Sequence, residues 1–183
     1  MFKPPDIDTL IDQVIALEGD FSNHPADRGG PTRWGITEAV ARLHGYADDM
    51  KHFPREQAAA IYKRQYWLRP GFDRVALLAP DIATELFDTG INMGTGTATA
   101  FLQRALNALN RNARDYREIS VDGKIGNNTL NALRAFLTKR VGKGQQVLLK
   151  AIESLQGARY IEIAEKRPAN EAFLYGWLAN RIG

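Results

Sequence analysis

Two carboxylates and a hydroxyl stand close together near the start of this chain. Glu18 ends a helical pattern, Asp27 follows nine residues later in a Gly/Pro-rich loop, and Thr32 comes shortly after it. Cleavage of a glycosidic bond uses one carboxyl as the proton donor and a second group that activates water or stabilises the cationic sugar. The segment 18–37 is therefore where we expect the chemistry of this chain.

A first helix is predicted to position Glu18. Asp6 or Asp8 can cap its start, and Gly19 can end it. Its apolar positions are Ile7, Leu10, Ile11, Val14, Ile15 and Leu17. Helical spacing places Glu18 on this apolar side at the negative end of the helix dipole, and both effects raise the pKa of a carboxyl. A carboxyl that acts as a general acid at neutral pH needs a raised pKa. An exposed helix-end glutamate is the alternative.

The second carboxylate has two candidates. Asp20 directly follows the helix-ending glycine, which indicates an exposed and local role. Asp27 is favoured by its place in the loop, although an aspartate near Gly29-Gly30 is also a common turn former. Thr32 is either a hairpin hydroxyl or the group that holds the attacking water.

Substrate contacts are predicted from ring and amide chemistry. Trp34 and Tyr66 are the best candidates to stack on sugar rings, with a core role as the alternative. Asp88 and Asn92 lie four residues apart on one helix face and suit sugar hydroxyls, although a buried structural role fits them equally.

The elements predict a mainly α protein with a small β-hairpin or loop beside the site. Further helices are predicted at residues 37–44, 58–66, 80–92, 97–110, 129–141, 145–166 and 170–182, and 111–126 is polar and turn-rich. The 183 residues contain 44% hydrophobic and 25% charged residues, which is ordinary for a globular protein.

Composition also removes several function classes. There is no cysteine, so disulfides and thiolate metal sites are excluded, and the three histidines are too scattered for a zinc motif. No phosphate-binding loop occurs, so nucleotide chemistry is not expected. No apolar run could span a bilayer, and we expect no stable membrane insertion. The net charge of +3 suits an anionic polymer, but it is weak evidence.

The segment 18–37 resembles the signature of glycoside hydrolase family 108, which contains phage-type endolysins and secretion-associated muramidases. The family pattern reads Glu-Gly-Gly-Tyr-Ser-Asn-x-Pro-x-Asp-x-Gly-Gly-x-Thr-x-x-Gly-Ile-Thr. The chain departs from it at Asp20, where glycine is expected, and at Phe21, where tyrosine is usual. Further likeness to the family's C-terminal peptidoglycan-binding region lies in 87–94, 102–103 and 121–129, and 173–181 resembles its terminal helix.

This resemblance implies a lysozyme-like fold and hydrolysis of the β-1,4 bond between N-acetylmuramic acid and N-acetylglucosamine. It implies Glu18 as the catalytic acid and favours Asp27 over Asp20, with Thr32 beside it, and Asn23 joins the substrate contacts. An analogous Glu-Asp-Thr trio with the same nine-residue interval occurs in the other main type of phage lysozyme. A catalytic lobe at 1–94 and a peptidoglycan-binding lobe at 95–183 are expected, in one compact unit.

Peptidoglycan glycan strands are the expected partner of a monomer that binds no nucleic acid and uses no cofactor or metal. A lytic transglycosylase, a chitinase and a non-catalytic wall-binding protein are the alternatives. The first residues do not resemble a secretory signal peptide. We therefore expect synthesis in the cytoplasm and action in the periplasm or cell wall, after release through a holin-type pore.

Overall fold

The chain folds into two compact units, and each is described by itself. A computed structural model describes residues 6–22 and 30–182. The N-terminal unit spans Asp6–Arg69, and the C-terminal unit contains the chain from Pro70 onward. The described residues form nine α-helices and a three-stranded antiparallel sheet, which confirms the predicted mainly α fold. The expected boundary between two lobes at 94/95 falls inside the C-terminal unit and stays a prediction.

Helices of the N-terminal unit are α1 (Ile7–Glu18), α2 (Glu38–Leu43) and α3 (Arg55–Tyr62), with a 3-10 turn at Met50–His52 and a π-helical segment at Lys63–Leu68. Asp6 caps α1, because its Oδ1 accepts from the backbone N–H of Asp8 at 3.2 Å. Ile11 and Ile15 are buried as predicted, but Leu17 is 79% exposed. A step of 100° per residue turns Leu17 away from the face that carries the two isoleucines.

Two ion pairs fasten α1 to the rest of the N-terminal unit. Asp12 Oδ1 lies 2.7 Å from Arg55 Nη1 on α3, and Asp8 Oδ1 lies 2.8 Å from Lys63 Nζ on the π-helical segment. All four side chains are substantially exposed, so each pair contributes at most about 1 kcal/mol. The buried isoleucines therefore supply most of the energy that packs α1, and the ion pairs add little to it.

A small sheet follows α1 where the sequence predicted a loop or short hairpin. Its strands are β1 (Phe21–Ser22), β2 (Thr32–Arg33) and β3 (Ile36–Thr37), in that order. The antiparallel register pairs Ser22 with Thr32 and Thr32 with Thr37. Thr37 also caps α2 as predicted, since its Oγ1 accepts from the backbone N–H of Val40 at 3.4 Å.

Helices of the C-terminal unit are α4 (Phe72–Ala76), α5 (Pro80–Met93), α6 (Thr95–Ala108), α7 (Asn127–Lys139), α8 (Gly144–Lys166) and α9 (Glu171–Arg181), with a 3-10 turn at Pro168–Asn170. Side chains from α5, α6, α7 and α8 fill the core, and the fully buried ones include Ile82, Leu86, Leu102, Leu106, Leu133, Leu148 and Ile152. The sequence predicted five of these helices to within a few residues. It missed α4, whose five residues are too few to show a periodic pattern.

No helix within the described ranges is long and apolar enough to cross a membrane.

Candidate active site

The structure describes part of the predicted site. Asn23 and Asp27 lie outside the described residues, and so does the side chain of Glu18. The backbone of Glu18 forms the last residue of α1, and Gly19 then takes a φ of +82°, a conformation that glycine adopts without steric cost. The predicted helix end is therefore confirmed, whereas the roles of these side chains stay predictions.

Asp20, which directly precedes β1, forms an ion pair with Arg33 of β2. Its Oδ1 accepts from Arg33 Nε at 2.9 Å, and its carbonyl oxygen accepts from the backbone N–H of Trp34 at 3.0 Å. Arg33 is the less exposed partner, at 19% against 65% for Asp20. The carboxylate that replaces the second glycine of the family pattern is thus matched by a guanidinium, and it links the end of α1 to the hairpin.

The turn between β2 and β3 holds Trp34 in an unusual conformation. Trp34 and Gly35 have φ values of +54° and +74°, as a two-residue type I′ hairpin turn requires. A bulky side chain is rare at positive φ, and such a conformation costs on the order of 1–3 kcal/mol. Two contacts hold the indole: its Nε1 donates to the carbonyl oxygen of Phe53 at 3.1 Å, and the Arg33 guanidinium lies over the ring at 5.1 Å. Trp34 is therefore a half-buried, firmly positioned ring.

Thr32 and Tyr66 occupy different elements of the N-terminal unit. Thr32 is half-buried in the central strand, where its backbone pairs with both neighbours. Tyr66 is half-buried on the π-helical segment, and its ring centroid lies 5.7 Å from that of Tyr62. A π-helical segment is often found at functional sites. The sequence predicted an α-helix through Tyr66 and carries no signal for the π-helical segment.

Asp88 and Asn92 belong to α5 of the C-terminal unit, where both have partners. Asp88 Oδ1 lies 2.7 Å from Arg181 Nη1, and Asn92 Nδ2 donates to the carbonyl oxygen of Asp88 at 2.8 Å. Burial raises the pKa of the Asp88 carboxyl, while Arg181 acts in the opposite direction. The ion pair between Asp88 and Arg181 links α5 to α9, as the alternative of a structural role for Asp88 predicts. A role of Asp88 in sugar binding stays a prediction.

A buried polar cluster beside Asp88 escaped the sequence analysis. Glu85 Oε1 accepts from Thr89 Oγ1 at 2.9 Å. The Gln156 amide, in the orientation that satisfies both its ends, donates to Glu85 Oε1 at 3.2 Å and to the carbonyl oxygen of Arg181 at 3.1 Å. Burial raises the pKa of Glu85 from 4.5 to about 7. The sequence around Glu85 on α5 gives no sign of this cluster, because its partner Gln156 lies far along the chain on α8.

A cavity of about 930 Å³ opens in the N-terminal unit. Its lining comes from residues 44–64 and includes His44, Tyr46, His52, Gln57 and Arg64. The predicted site residues Thr32, Trp34 and Tyr66 do not line it. It contains an aromatic ring and several hydrogen-bonding groups, and no motif in the sequence indicated it.

The segment 121–129, which resembles a peptidoglycan-binding region, is organised by Gln103. This side chain is 1% exposed. Its Nε2 donates to Asp122 Oδ1 at 2.8 Å and to the carbonyl oxygen of Lys124 at 3.1 Å, and its Oε1 accepts from the backbone N–H of Gly123 at 2.9 Å. The Gln103 hydrogen bond is the main cause of the lowered pKa of Asp122. One buried amide thus sets the path of the loop.

Within 6–22 and 30–182, no group of three or more His, Cys, Asp or Glu side chains is placed to hold a metal ion.

Comparison with known families divides the chain between two models. Residues 11–94 match the glycosyl hydrolase 108 family, and residues 97–182 match a predicted peptidoglycan domain. Among solved structures, Brucella abortus SagA matches at 24% identity and a TM-score of 0.57, over 96% of this chain and 95% of that chain. Curated proteins give no match. The likeness to the solved structure supports the lysozyme-like fold.

The fold and the two matched domains define a glycoside hydrolase that acts on peptidoglycan. The glycosyl hydrolase match at residues 11–94 includes most of α1, the small sheet and Trp34. The chain carries a glycosyl hydrolase 108 domain at residues 11–94 and a peptidoglycan-binding domain at residues 97–182. The predicted family is therefore confirmed.

Proposed function

We propose that the chain is a muramidase that hydrolyses the β-1,4 bond between N-acetylmuramic acid and N-acetylglucosamine. The observation that carries the proposal is the pairing of the two domain matches in one chain. The glycosyl hydrolase match spans the motif from Glu18 to Thr37, and the second match supplies affinity for the wall.

Glu18 is the proposed general acid, and it donates a proton to the glycosidic oxygen. Asp27, ionised, together with Thr32 positions water or stabilises the cationic sugar. Two features of the described backbone support this arrangement: α1 ends at Glu18, and Thr32 lies in the central strand of the sheet that follows. A positioned acid or base contributes about a hundred- to ten-thousand-fold in rate.

Asn23, Trp34, Tyr66, Asp88 and Asn92 are the proposed substrate contacts. Trp34 is the best supported of them, because a strained turn and a hydrogen bond to Phe53 hold its ring in place. Fixed rings bind sugars at a low entropy cost, since little side-chain freedom is lost on binding.

Glu18→Gln tests the catalytic assignment. It removes the proton donor while it keeps the size of the side chain, and we expect lysis of purified sacculi to fall by at least about a hundredfold. Glu56→Gln is the matched control, because Glu56 is exposed on α3 and makes no ion pair among the described residues. Circular dichroism shows whether both variants fold. Substantial residual lysis by Glu18→Gln contradicts the assignment.

Fragment analysis separates this proposal from its rivals. Mass spectrometry of digested peptidoglycan shows reducing muramic ends for a hydrolase and anhydromuramic ends for a lytic transglycosylase. Binding to sacculi with no loss of turbidity indicates a wall-binding protein without catalysis. Digestion of chitin oligomers in preference to sacculi indicates a chitinase.

We also propose that the chain acts as a monomer in the periplasm or cell wall, after release from the cytoplasm through a holin-type pore. Expression with and without such a pore tests the route. Lysis of the expressing cells only in the presence of the pore supports this route, whereas lysis of the cells without the pore contradicts it. Sedimentation velocity measures the oligomeric state.

A further inference from the structure

A groove runs along α7 in the C-terminal unit. Two adjoining cavities of about 230 Å³ and about 380 Å³ share Ile119 and Asn128 in their linings. One wall is the segment 116–124, and the other is residues 127–135 of α7. We call this space the α7 groove. It lies entirely within the residues that match the predicted peptidoglycan domain.

Polar side chains in the α7 groove have unused hydrogen-bonding capacity. Arg117, Ser120, Lys124 and Asn128 line it, and among the described residues none of these side chains makes a hydrogen bond or ion pair. All four residues are exposed. The groove therefore presents two cations, a hydroxyl and an amide to a ligand.

The carboxylates on the groove wall are already engaged. Glu118 Oε1 accepts from Asn110 Nδ2 at 2.9 Å, and Asp122 Oδ1 accepts from the Gln103 amide. These hydrogen bonds hold both acidic groups against internal amides. Arg117 and Lys124 have no ion-pair partner among the described residues, so both are available to the carboxylates of a ligand.

The main chain of the groove wall is held at Ile119, while neighbouring main-chain groups have no hydrogen-bond partner within the described chain. Asn107 Nδ2 donates to the carbonyl oxygen of Ile119 at 2.8 Å, and Asn107 Oδ1 accepts from the N–H of Ile119 at 3.1 Å. On either side, the N–H and C=O groups of Glu118 and Ser120 make no backbone hydrogen bond within the described chain. A segment clamped at one residue with free groups beside it suits recognition of another peptide backbone.

We propose that the α7 groove binds the acidic peptide stems of peptidoglycan; this inference rests on the proposed function and names the part of the substrate that the C-terminal domain holds. Carboxylates of the stem pair with Arg117 and Lys124, and its amides bond to Asn128 and the free main chain. A glycan strand fits less well, because Tyr116 is the aromatic side chain of the groove and its hydroxyl donates to the carbonyl oxygen of Leu106 at 2.5 Å.

Titration of the full chain with a soluble stem peptide tests this proposal without depending on catalysis. The probes are a synthetic acidic stem tetrapeptide, the same peptide with its carboxylates amidated, and an N-acetylglucosamine tetramer. Calorimetry is expected to show that Arg117→Ala combined with Asn128→Ala weakens binding of the acidic peptide at least about tenfold. Amidation of the peptide is expected to weaken binding to the wild-type chain similarly.

Arg104→Ala is the matched control, because it removes an exposed arginine of α6 that does not line the groove. It is expected to bind the peptide as the wild type does. The proposal is overturned if the double variant keeps wild-type affinity, if Arg104→Ala weakens binding equally, or if the wild type binds no peptide. Lysis of sacculi is measured in parallel: normal lysis without peptide binding refutes the groove alone, and peptide binding without lysis refutes only the proposed hydrolase.

Discussion

Glu85 is predicted to make the C-terminal unit less stable as the pH rises. Its carboxyl is held between Thr89 and Gln156, and burial raises its pKa from 4.5 to about 7. The folded state therefore binds the proton more tightly than the unfolded state does. The stabilisation is fully present below about pH 4.5 and is lost as the pH rises through about 7.

The magnitude follows from this change in pKa. A pKa raised from 4.5 to about 7, at 1.36 kcal/mol per pKa unit, lowers the free energy of unfolding by about 3 kcal/mol at most between pH 4.5 and 8. The hydrogen bond from Thr89 is already included in the pKa of Glu85, whereas the Gln156 amide donor favours the ionised form further. Because this donor and relaxation of the cluster both reduce the effect, we expect roughly 1–3 kcal/mol. Asp88 adds in the same direction, because burial also raises its own pKa. The negative charges of Asp88 and Glu153 are among the causes that raise the pKa of Glu85.

Urea denaturation followed by circular dichroism at pH 5 and pH 8 measures the effect. Glu85→Gln keeps the shape of the side chain and cannot ionise, so it should be more stable than the wild type at pH 8 and show a smaller difference between the two pH values. Glu56→Gln, at an exposed position of α3, should follow the wild type. An unchanged pH dependence in Glu85→Gln would refute the reasoning.

Three further perturbations test the packing around the candidate site and the loop. Gln103→Met should lower the free energy of unfolding by roughly 3 kcal/mol, because it removes the hydrogen bonds of a buried amide to Asp122, Gly123, Lys124 and Thr129. A loss below about 1 kcal/mol in urea denaturation argues against this role. Gly123→Ala should lower the free energy of unfolding by at least about 1 kcal/mol, because φ is +70° at this position. Gly126→Ala is the control and should cost less, because its φ is −96° and no heavy atom lies within 4 Å of an added Cβ. Equal melting temperatures of the two variants contradict this. Trp34→Phe removes the hydrogen bond to Phe53 and should lower both thermal stability and lysis, and unchanged lysis would show that the fixed indole is not needed.

Local signals let the sequence determine much of the helical framework. Asp6 at the start of α1, Gly19 after its end and Thr37 before α2 act through hydrogen bonds or backbone freedom within a few residues. The apolar period of 3.6 located the longer helices in the same way. The motif from Glu18 to Thr37 then pointed to the family that the domain match confirms.

Tertiary structure decided the features that depend on partners distant in the chain. Asp20 is matched by Arg33 across the sheet, and Trp34 keeps a positive φ beside the carbonyl of Phe53. Gln103 sets the path of a loop about twenty residues further along. Each of these depends on two segments that meet only after folding, because burial and hydrogen bonding follow distance in space. Local sequence therefore established the framework and the chemical motif, whereas packing determined the environment of each side chain.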